Sequence, residues 1–300
     1  MCGLSYKNCR LCPRECGADR ANGEVGFCGM GDDPVLGLAA LHYWEEPCIS
    51  GEKGTGAVFF SGCNLGCPYC QNQKLTREKF GAQIDAKRLR QIFFELIDKG
   101  ATSIDLVNPT HFLPSVIEAL SPPLPVPVIY NCSGYEKAET IKYLEGKIDI
   151  YLPDFKYADE NLAQELSGID NYADNAKAAI KEMFRQTGNY RLSAKGLLQN
   201  GVLIRHLILP GQLDNTFDVI DWLVENFPPG AVLFSLMGQY MPAGDLSRFP
   251  WLQRKLTAEE YQRAQDYLLA LGWEDGYLQE LSSSSDEFLP DFDLSGVLHL

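Results

Sequence analysis

The chain has 300 residues, which at ~150 residues per domain allows two domains or a single α/β barrel. With 45% hydrophobic and 11% aromatic residues, its composition is that of a globular protein and excludes disorder for most of the chain. It has 26 Lys and Arg residues and 40 Asp and Glu residues. The net charge of −14 repels phosphate backbones and argues against a nucleic-acid binder.

The chain shows no sign of a membrane or secretory segment. No apolar run approaches the ~18 residues of a membrane span, and the amino-terminal sequence MCGLSYKNCRLC has no stretch suited to a signal peptide. We therefore expect a cytoplasmic protein with no membrane partner.

In a reducing compartment, closely spaced cysteines are more often metal ligands or redox groups than disulfides. Nine of the ten cysteines lie in the first 70 residues, which core packing does not explain.

The first segment is rich in Cys and Gly, and we expect it to form an extension over residues 1–50. It contains a C-x2-C-x3-C-x11-C pattern made of Cys9, Cys12, Cys16 and Cys28. Four thiolates fit either a zinc ion or a second iron–sulfur cluster, and the spacing does not separate the two. The alternative is a set of free thiols in a loop-rich extension.

Six runs of β-branched and aromatic residues follow and predict buried strands at 57–61, 103–107, 126–130, 148–152, 202–209 and 231–236. Helical periodicity lies between several of them, as in Leu89, Ile92, Phe93 and Leu96, which stop at Gly100. This alternation predicts an α/β fold of parallel strands, either an open sheet or a full or partial barrel, with its chemistry at the strands' carboxyl ends. We expect this core to span residues 51–275. An acidic tail, 276–300, should be loosely structured or wrapped over the core.

A cysteine triplet follows the first predicted strand. Cys63, Cys67 and Cys70 form a C-x3-C-x2-C pattern within the sequence GCNLGCPYC. Three thiolates on one loop can bind three irons of a 4Fe–4S cluster and leave the fourth iron open for chemistry. The alternative is a zinc site that borrows His111 or His42 as its fourth ligand.

With Tyr69 before its last cysteine, the triplet resembles the signature of radical S-adenosylmethionine (SAM) enzymes. Its setting, FFSGCNLGCPYCQN, resembles the branch similar to pyruvate formate-lyase activating enzymes. The resemblance implies a partial (β/α)6 barrel of the TIM type. It also implies that the open iron chelates SAM, whose reductive cleavage releases a 5′-deoxyadenosyl radical for hydrogen abstraction.

The chain departs from this family after the second predicted strand. Family members carry a Gly-Gly-Glu turn there for the SAM amino group, whereas this chain has Asn108, Pro109, Thr110 and His111. The resemblance implies that these polar side chains replace the glutamate in binding the cofactor, although its charge is missing. The alternative for Asn108 and Thr110 is a helix cap ahead of Leu113.

Other strand ends fit the family pattern. Asn131 lies where the family faces the methionine part of SAM, and Asp154 with Lys156 resembles the family's Asp-x-Lys. There the carboxylate helps to bind a monovalent cation or SAM, and the lysine meets the SAM carboxylate. Gln239 or Tyr240, after the last strand, would reach the SAM ribose. Without the resemblance, Asp154 and Lys156 would be read as a solvated pair.

Arg205 and His206 follow one another in a predicted strand, so at most one of them can point into a barrel. We expect His206 to be structural. From 74 to 90 the chain has six basic and two acidic residues. This balance suits either docking of an acidic electron carrier, such as a flavodoxin or ferredoxin, or an ordinary solvated helix face.

The resemblance favours an activase that abstracts hydrogen from a partner protein, and the loop 241–255, with Phe249 and Trp251, could either line an opening for that partner or plug the barrel. A second reading is a radical SAM enzyme that acts on a small molecule or on RNA. A third, from another class, is a non-catalytic iron–sulfur protein for electron transfer.

Overall fold

The computed structural model describes residues 4–279, 281 and 290–298. Within these residues, ten strands join one sheet. They are β1 (Val35–His42), β2 (Thr55–Phe60), β3 (Ala82–Gln83), β4 (Ile104–Val107), β5 (Val128–Cys132), β6 (Ile150–Pro153), β7 (Arg191–Leu192), β8 (Leu198–Leu207), β9 (Leu233–Met237) and β10 (Gly276–Gln279). The α-helices are α1 (Pro47–Ser50), α2 (Gln73–Thr76), α3 (Ala86–Asp98), α4 (Leu113–Ala119), α5 (Ala138–Ile141), α6 (Glu160–Ser167), α7 (Tyr172–Thr187), α8 (Leu213–Asn226) and α9 (Ala258–Ala270).

The sheet runs in the order β10-β9-β8-β6-β5-β4-β2-β1-β3, with β7 paired to β8. From β2 to β10 the neighbouring strands on this path are parallel, while β1 and β3 add antiparallel pairs at one edge. The six predicted strands correspond to β2, β4, β5, β6, β8 and β9. The predicted α/β fold of parallel strands is therefore confirmed, and β10 adds a seventh parallel strand. The parallel strands follow one another in chain order, as in a barrel and not a doubly wound sheet, and β10 and β3 end the path, so the described strands form a partial barrel.

The predicted helix after β2 is also present. Asp85 caps α3 by accepting a hydrogen bond from the backbone N–H of Arg88 at 2.7 Å, and Leu89, Ile92 and Phe93 are buried on its inner face. The capping box of Thr257 and Glu260 begins α9. Among the described residues, no helix combines the length and apolar character needed to cross a membrane.

A short segment closes the amino-terminal end of the barrel. It leaves β1 at His42, which pairs with the first residue of β2, and reaches α1. Cys48 and Ile49 of α1 are buried against inward-facing residues of four parallel strands, which are Ile129, Ile150, Leu152, Leu203 and Leu233. We call the segment 43–50 the plug. Packing of α1 in this position carries the preceding Glu45 and Glu46 towards the inside of the barrel.

Two elements lie outside the predicted core boundaries. β1 belongs to the segment 1–50 that we assigned to an extension, and β10 belongs to the predicted tail. The described residues 290–298 are wrapped over the sheet: the Ala39 N–H donates to the carbonyl of Ser295 at 2.9 Å, and Phe292 packs edge-on against Phe59. Part of the predicted extension and tail lies outside the described residues, namely 1–3, 280, 282–289 and 299–300.

Candidate functional site

A cavity of about 780 Å³ opens at the carboxyl ends of the parallel strands. Its walls come from the loop after β2, the ends of β4, β5, β6, β8 and β9, and the plug. Because loops at this end of parallel strands meet at one place, residues far apart in the chain are brought together. The predicted residues on its wall are Cys63, Cys67, Tyr69, Cys70, Asn108, Asn131, Asp154, Lys156, Gln239 and Tyr240.

The three cysteines of the triplet share one loop beside this cavity. Gly62 and Gly66 have φ values of +83° and +80°, which turn the loop back after β2. Burial raises the pKa of Cys63 to about 11, and the nearby thiols of Cys70 and Cys67 add to the shift. As a free thiol Cys63 therefore holds its proton, and its chemistry as a ligand requires a positive centre that displaces the proton.

Hydroxyl groups surround these sulfur atoms. Tyr157 and Ser167 donate hydrogen bonds to Sγ of Cys67 at 3.5 and 3.6 Å, and Thr76 donates to Sγ of Cys70 at 3.5 Å. Such donors stabilise thiolates and orient them as ligands. The set of three buried or half-buried thiols with hydroxyl donors therefore fits an iron–sulfur cluster.

The described residues contain no group of three His, Cys, Asp or Glu side chains placed to hold a single metal ion. Thiolates of a cluster bind different irons, so this finding bears on the zinc alternative. His111 is not on the cavity wall; its Nε2 lies 2.7 Å from the carbonyl oxygen of Ser61, and burial lowers its pKa to about 3. His42 does line the cavity, but its ring lies edge-on to Phe59.

The polar residues after β4 divide between two places. Asn108 lines the cavity with φ of +58°, and its Oδ1 is buried without a hydrogen-bond partner among the described residues. Thr110, like His111, lies off the cavity wall, where it donates a 2.7 Å hydrogen bond to Glu136. Neither Asn108 nor Thr110 caps the following helices through its side chain.

An ion network lies at the ends of β6 and β8. Asp154 accepts from Lys156 at 2.6 Å and from Arg205 at 2.9 Å, and Arg205 also donates to Asn131 at 2.6 Å and to Glu45 at 3.0 Å. Burial alone would raise the pKa of Asp154, but the charges of Lys156 and Arg205 hold it below its usual range. The site therefore keeps a fixed anion between two fixed cations.

Arg205 and His206 behave as their alternation requires. Arg205 points into the cavity, whereas His206 is buried on the other side, with its ring nitrogens 2.6 Å from the Phe155 carbonyl and 3.0 Å from the Thr216 hydroxyl. Burial lowers the pKa of His206 to about 4. His206 is structural, as expected.

The remaining predicted residues lie beside the cysteines. The Tyr69 hydroxyl is 2.7 Å from that of Tyr157, and its ring packs 6.0 Å from the ring of Tyr240. The Tyr240 hydroxyl donates to the carbonyl of Leu252 at 2.8 Å, so its polar end is used within the fold. Gln239 lines the cavity with Oε1 lacking a partner among the described residues.

The amino-terminal cysteines form a second group next to the cluster loop. Arg20 donates to Sγ of Cys9 at 3.7 Å, and burial raises the pKa of Cys12 to about 12, with Cys28 and Cys9 adding to it. A Cβ on Gly62 would lie 2.8 Å from the Cys28 carbonyl, so the two loops touch. None of the four lines the cavity. Their metal stays a prediction.

Sequence reasoning missed Glu45, Glu46, Asp105 and Glu136. Asp105 is fully buried and accepts from Asn131 at 3.3 Å; Glu46 is 2% exposed and lines the cavity. Burial raises the pKa of Glu46 and Asp105, while Arg205 opposes the shift and Glu45 adds to it. An acidic residue inside the predicted strand 103–107 was the available signal.

A comparison with family models matches residues 49–120 to a 4Fe-4S single cluster domain. This segment contains Cys63, Cys67 and Cys70, and the match supports the predicted 4Fe–4S cluster. Among curated proteins, an uncharacterized protein of Methanocaldococcus jannaschii is 29% identical over 270 residues, covering 86% of this chain and 73% of its own.

Among solved structures, Streptococcus suis SuiB bound to S-adenosylmethionine has a TM-score of 0.48 and 16% identity over 75% of this chain. This chain spans about half of the SuiB chain, at 50%. Methylornithine synthase (PylB) has a TM-score of 0.47 and 13% identity, covering 78% of this chain and 76% of its own. Likenesses this distant carry no argument about chemistry.

Proposed function

We propose that the protein is a radical SAM enzyme. The observation that carries the proposal is one cavity wall that joins the three-cysteine loop to the Asp154–Lys156–Arg205 network. A zwitterionic ligand needs a fixed anion and a fixed cation, and the network supplies both. The cluster-domain match over residues 49–120 and the sequence FFSGCNLGCPYCQN support the same conclusion.

The residues of the wall divide the work. Cys63, Cys67 and Cys70 would hold the cluster, and Lys156 would meet the SAM carboxylate. Asn131, Asp154, Gln239 and the unpartnered Oδ1 of Asn108 would accept from the N–H and O–H groups of SAM. Oδ1 of Asn108 and Oε1 of Gln239 are buried without a partner among the described residues, so a ligand that donates to them supplies hydrogen bonds that the fold lacks. When bound, the reduced cluster supplies the electron that splits SAM into methionine and a 5′-deoxyadenosyl radical.

Spectroscopy of the reduced cluster tests this assignment. Anaerobically reconstituted protein should show a cluster EPR signal that changes on addition of SAM, because SAM bound in this cavity would contact the cluster held by Cys63, Cys67 and Cys70. Cys67→Ala should abolish the change. Cys48→Ser, which keeps the size of a buried cysteine away from the cavity wall and so keeps the plug packed, is the control and should keep it. A SAM-independent spectrum in the wild type would instead favour the electron-transfer protein.

We propose further that the hydrogen donor is a protein, as in activating enzymes. The partial barrel has two separate edges, and Tyr43 and Trp44 line the cavity with 47% and 61% of their surface exposed. Exposed aromatic side chains are typical anchors of protein interfaces. For the loop 241–255, the alternative in which it closes the barrel fits better than the one in which it lines an opening. Phe249 is buried there, and the carbonyl of Leu252 accepts a hydrogen bond from Tyr240.

A glycyl-radical EPR signal tests the activase reading. Reduced enzyme and SAM are incubated anaerobically with the protein fraction of the organism of origin, and a new protein radical should appear. Trp44→Ala should reduce it, whereas Trp251→Ala, a change of the same residue type in the loop 241–255, should not. Turnover of a small metabolite without any protein partner would overturn the activase reading and leave the radical SAM assignment intact.

The electron donor is a separate proposal. A flavodoxin or ferredoxin would dock near the cluster loop, but the basic segment 74–90 supports this weakly. Arg88 is buried and paired with Glu95, and Arg90 donates to the carbonyls of Ala119 and Pro122 at 2.8 and 2.7 Å. Both guanidinium groups make contacts within the fold, so these two residues support neither a docking face nor an ordinary solvated helix face.

The second metal centre is likewise a proposal. Cys9, Cys12, Cys16 and Cys28 would hold zinc or iron–sulfur, which orders the extension rather than driving the reaction. Metal analysis of a protein in which Cys63, Cys67 and Cys70 are all changed to Ala should still find bound zinc or iron. Finding neither metal would remove the second centre.

A further inference from the structure

The inner end of the cavity carries more acidic than basic groups. Glu45, Glu46 and Asn131 line it there together with Arg205, and Asp105 lies directly behind Asn131. We call this set the acidic floor. Arg205 is shared between Glu45, at 3.0 Å, and Asp154, at 2.9 Å. Lys156, the other cation on this wall, is bonded to Asp154.

Glu46 and Asp105 form no ion pair with Arg205 or Lys156. Both Glu46 carboxylate oxygens and Oδ1 of Asp105 are buried and have no hydrogen-bond partner in the described part of the chain. The Ser235 hydroxyl lies near enough to Glu46 to oppose the rise in its pKa, but the two make no hydrogen bond of normal geometry, and this hydroxyl has no other partner among the described residues. A buried carboxyl group without partners costs stability in either protonation state, because its oxygens, or its O–H, lose their bonds to water.

The placement of Glu46 is a consequence of the fold. Cys48 and Ile49 anchor the plug in the hydrophobic end of the barrel. Glu45 and Glu46, which directly precede α1, then lie on the cavity wall. Functional sites commonly keep such energetically costly groups because a ligand satisfies them.

We propose that the acidic floor binds a cationic N–H group of the substrate, an alkylammonium or a guanidinium, through Glu46 with support from Asp105. This inference rests on the proposed function, which places the reaction in the same cavity. Burial raises the pKa of both acids, and a cation bound beside them would favour the carboxylate form and pair with it through short, charge-assisted hydrogen bonds. Since no three His, Cys, Asp or Glu side chains of the described residues are placed to hold a metal ion, the structure favours an organic cation over a metal.

Ligand-observed NMR titration with small probes tests the floor directly. Methylammonium and methylguanidinium represent the two cations, and methylurea is the neutral analogue. Wild-type protein should bind at least one cation saturably and methylurea at least tenfold more weakly. Glu46→Gln and Asp105→Asn should each weaken cation binding at least tenfold. Glu118→Gln, an exposed acid on α4, is the matched control and should leave it unchanged.

Three results would overturn the proposal: no saturable cation binding, equal binding by the neutral analogue, or unchanged binding in both floor variants. Thermal unfolding verifies that each variant is folded. If Glu46→Gln does not fold, the binding measured with Asp105→Asn decides the test. Repeating the titration with the cluster-loaded protein and saturating SAM distinguishes a cationic substrate from the cationic groups of SAM itself. Simultaneous binding supports a substrate site, whereas competition assigns the floor to SAM and overturns the proposal.

This outcome is independent of the proposed chemistry. The probe titration needs neither cluster nor SAM, so a protein that fails to cleave SAM can still bind the cations. In that case the floor would stand as a cation site while the radical SAM assignment falls. The reverse result, SAM cleavage without cation binding, would remove only the substrate class.

Discussion

Cys67 receives hydroxyl donors from Tyr157 and Ser167, and Tyr69 extends the chain of hydroxyls by contacting Tyr157. Hydrogen bonds to a ligating thiolate tune a cluster's reduction potential, because they stabilise the more negative, reduced state. As a proposed cluster ligand, Cys67 would therefore tune the cluster as well as hold it.

Tyr157→Phe should lower the reduction potential of the cluster. With a net hydrogen-bond contribution of ~1 kcal/mol, and 59 mV for each tenfold change in a one-electron couple, the expected shift is about 40 mV. An EPR-monitored redox titration measures it. Tyr143→Phe, a change at a solvent-exposed helix position, should leave the potential in place. Equal potentials for wild type and Tyr157→Phe would show that this hydroxyl does not act on the bound thiolate.

Glu136 makes stability depend on pH. Burial raises its pKa from 4.5 to about 8, although hydrogen bonds from Thr110 and Tyr130 oppose the shift. The folded state therefore binds a proton that the unfolded chain releases, and stability is lost as pH rises from 4.5 to about 8.

Glu136→Gln keeps a hydrogen-bonding group but cannot ionise. Relative to wild type, its free energy of unfolding should rise with pH by up to about 1.4 kcal/mol per unit inside this window. Urea unfolding of both proteins from about pH 5 to about pH 9 provides the comparison, with Glu118→Gln as the exposed control. A difference that stays constant over the series would contradict the raised pKa.

At the scale of elements, sequence periodicity located the strands that build the barrel but not the plug. The six strands are runs of β-branched and aromatic residues, and burial on both faces makes such runs visible. β1 reads VLGLAALH, in which small residues and Gly37 weaken the strand signal. The plug carries no periodic pattern, because its position depends on Ile49 meeting residues of distant strands.

Ile49→Ala should test the plug. Ile49 is buried among side chains of β5, β6, β8 and β9, and a cavity there should cost about 2–5 kcal/mol of unfolding free energy. Leu269→Ala removes an aliphatic side chain that is 52% exposed on α9 and should cost much less. Urea unfolding measures both. Equal costs for the two variants would mean that Ile49 does not anchor this segment.

The same contrast holds within the site. Cys63, Cys67 and Cys70 are predictable because one loop contains all three. The Asp154–Lys156 pair was predicted only through its resemblance to the family's Asp-x-Lys, since its position at a strand end alone indicates a solvated pair. Glu45 was not predictable, since its partner Arg205 is 160 residues away and only the closed fold brings them together. Thr110 and His111 follow a strand end as Asn108 does, but the turn at Asn108 directs them away from the cavity.

Across the whole molecule, the parallel strands bring the cysteine loop, the ion network and the acidic floor to one cavity of about 780 Å³. The plug and the wrapped carboxyl-terminal residues close other parts of the barrel. Enclosure of this kind suits radical chemistry, since water and competing hydrogen donors are kept from the reacting atoms.

The most direct test of this account is the formation of 5′-deoxyadenosine from SAM by the reduced, anaerobically reconstituted full-length protein. We expect 5′-deoxyadenosine and methionine in equal amounts from the wild type and from Cys48→Ser, and none above background from Cys67→Ala. Formation of 5′-deoxyadenosine by Cys67→Ala at the wild-type rate, or its absence from wild-type protein that carries an intact 4Fe–4S cluster, would contradict the account.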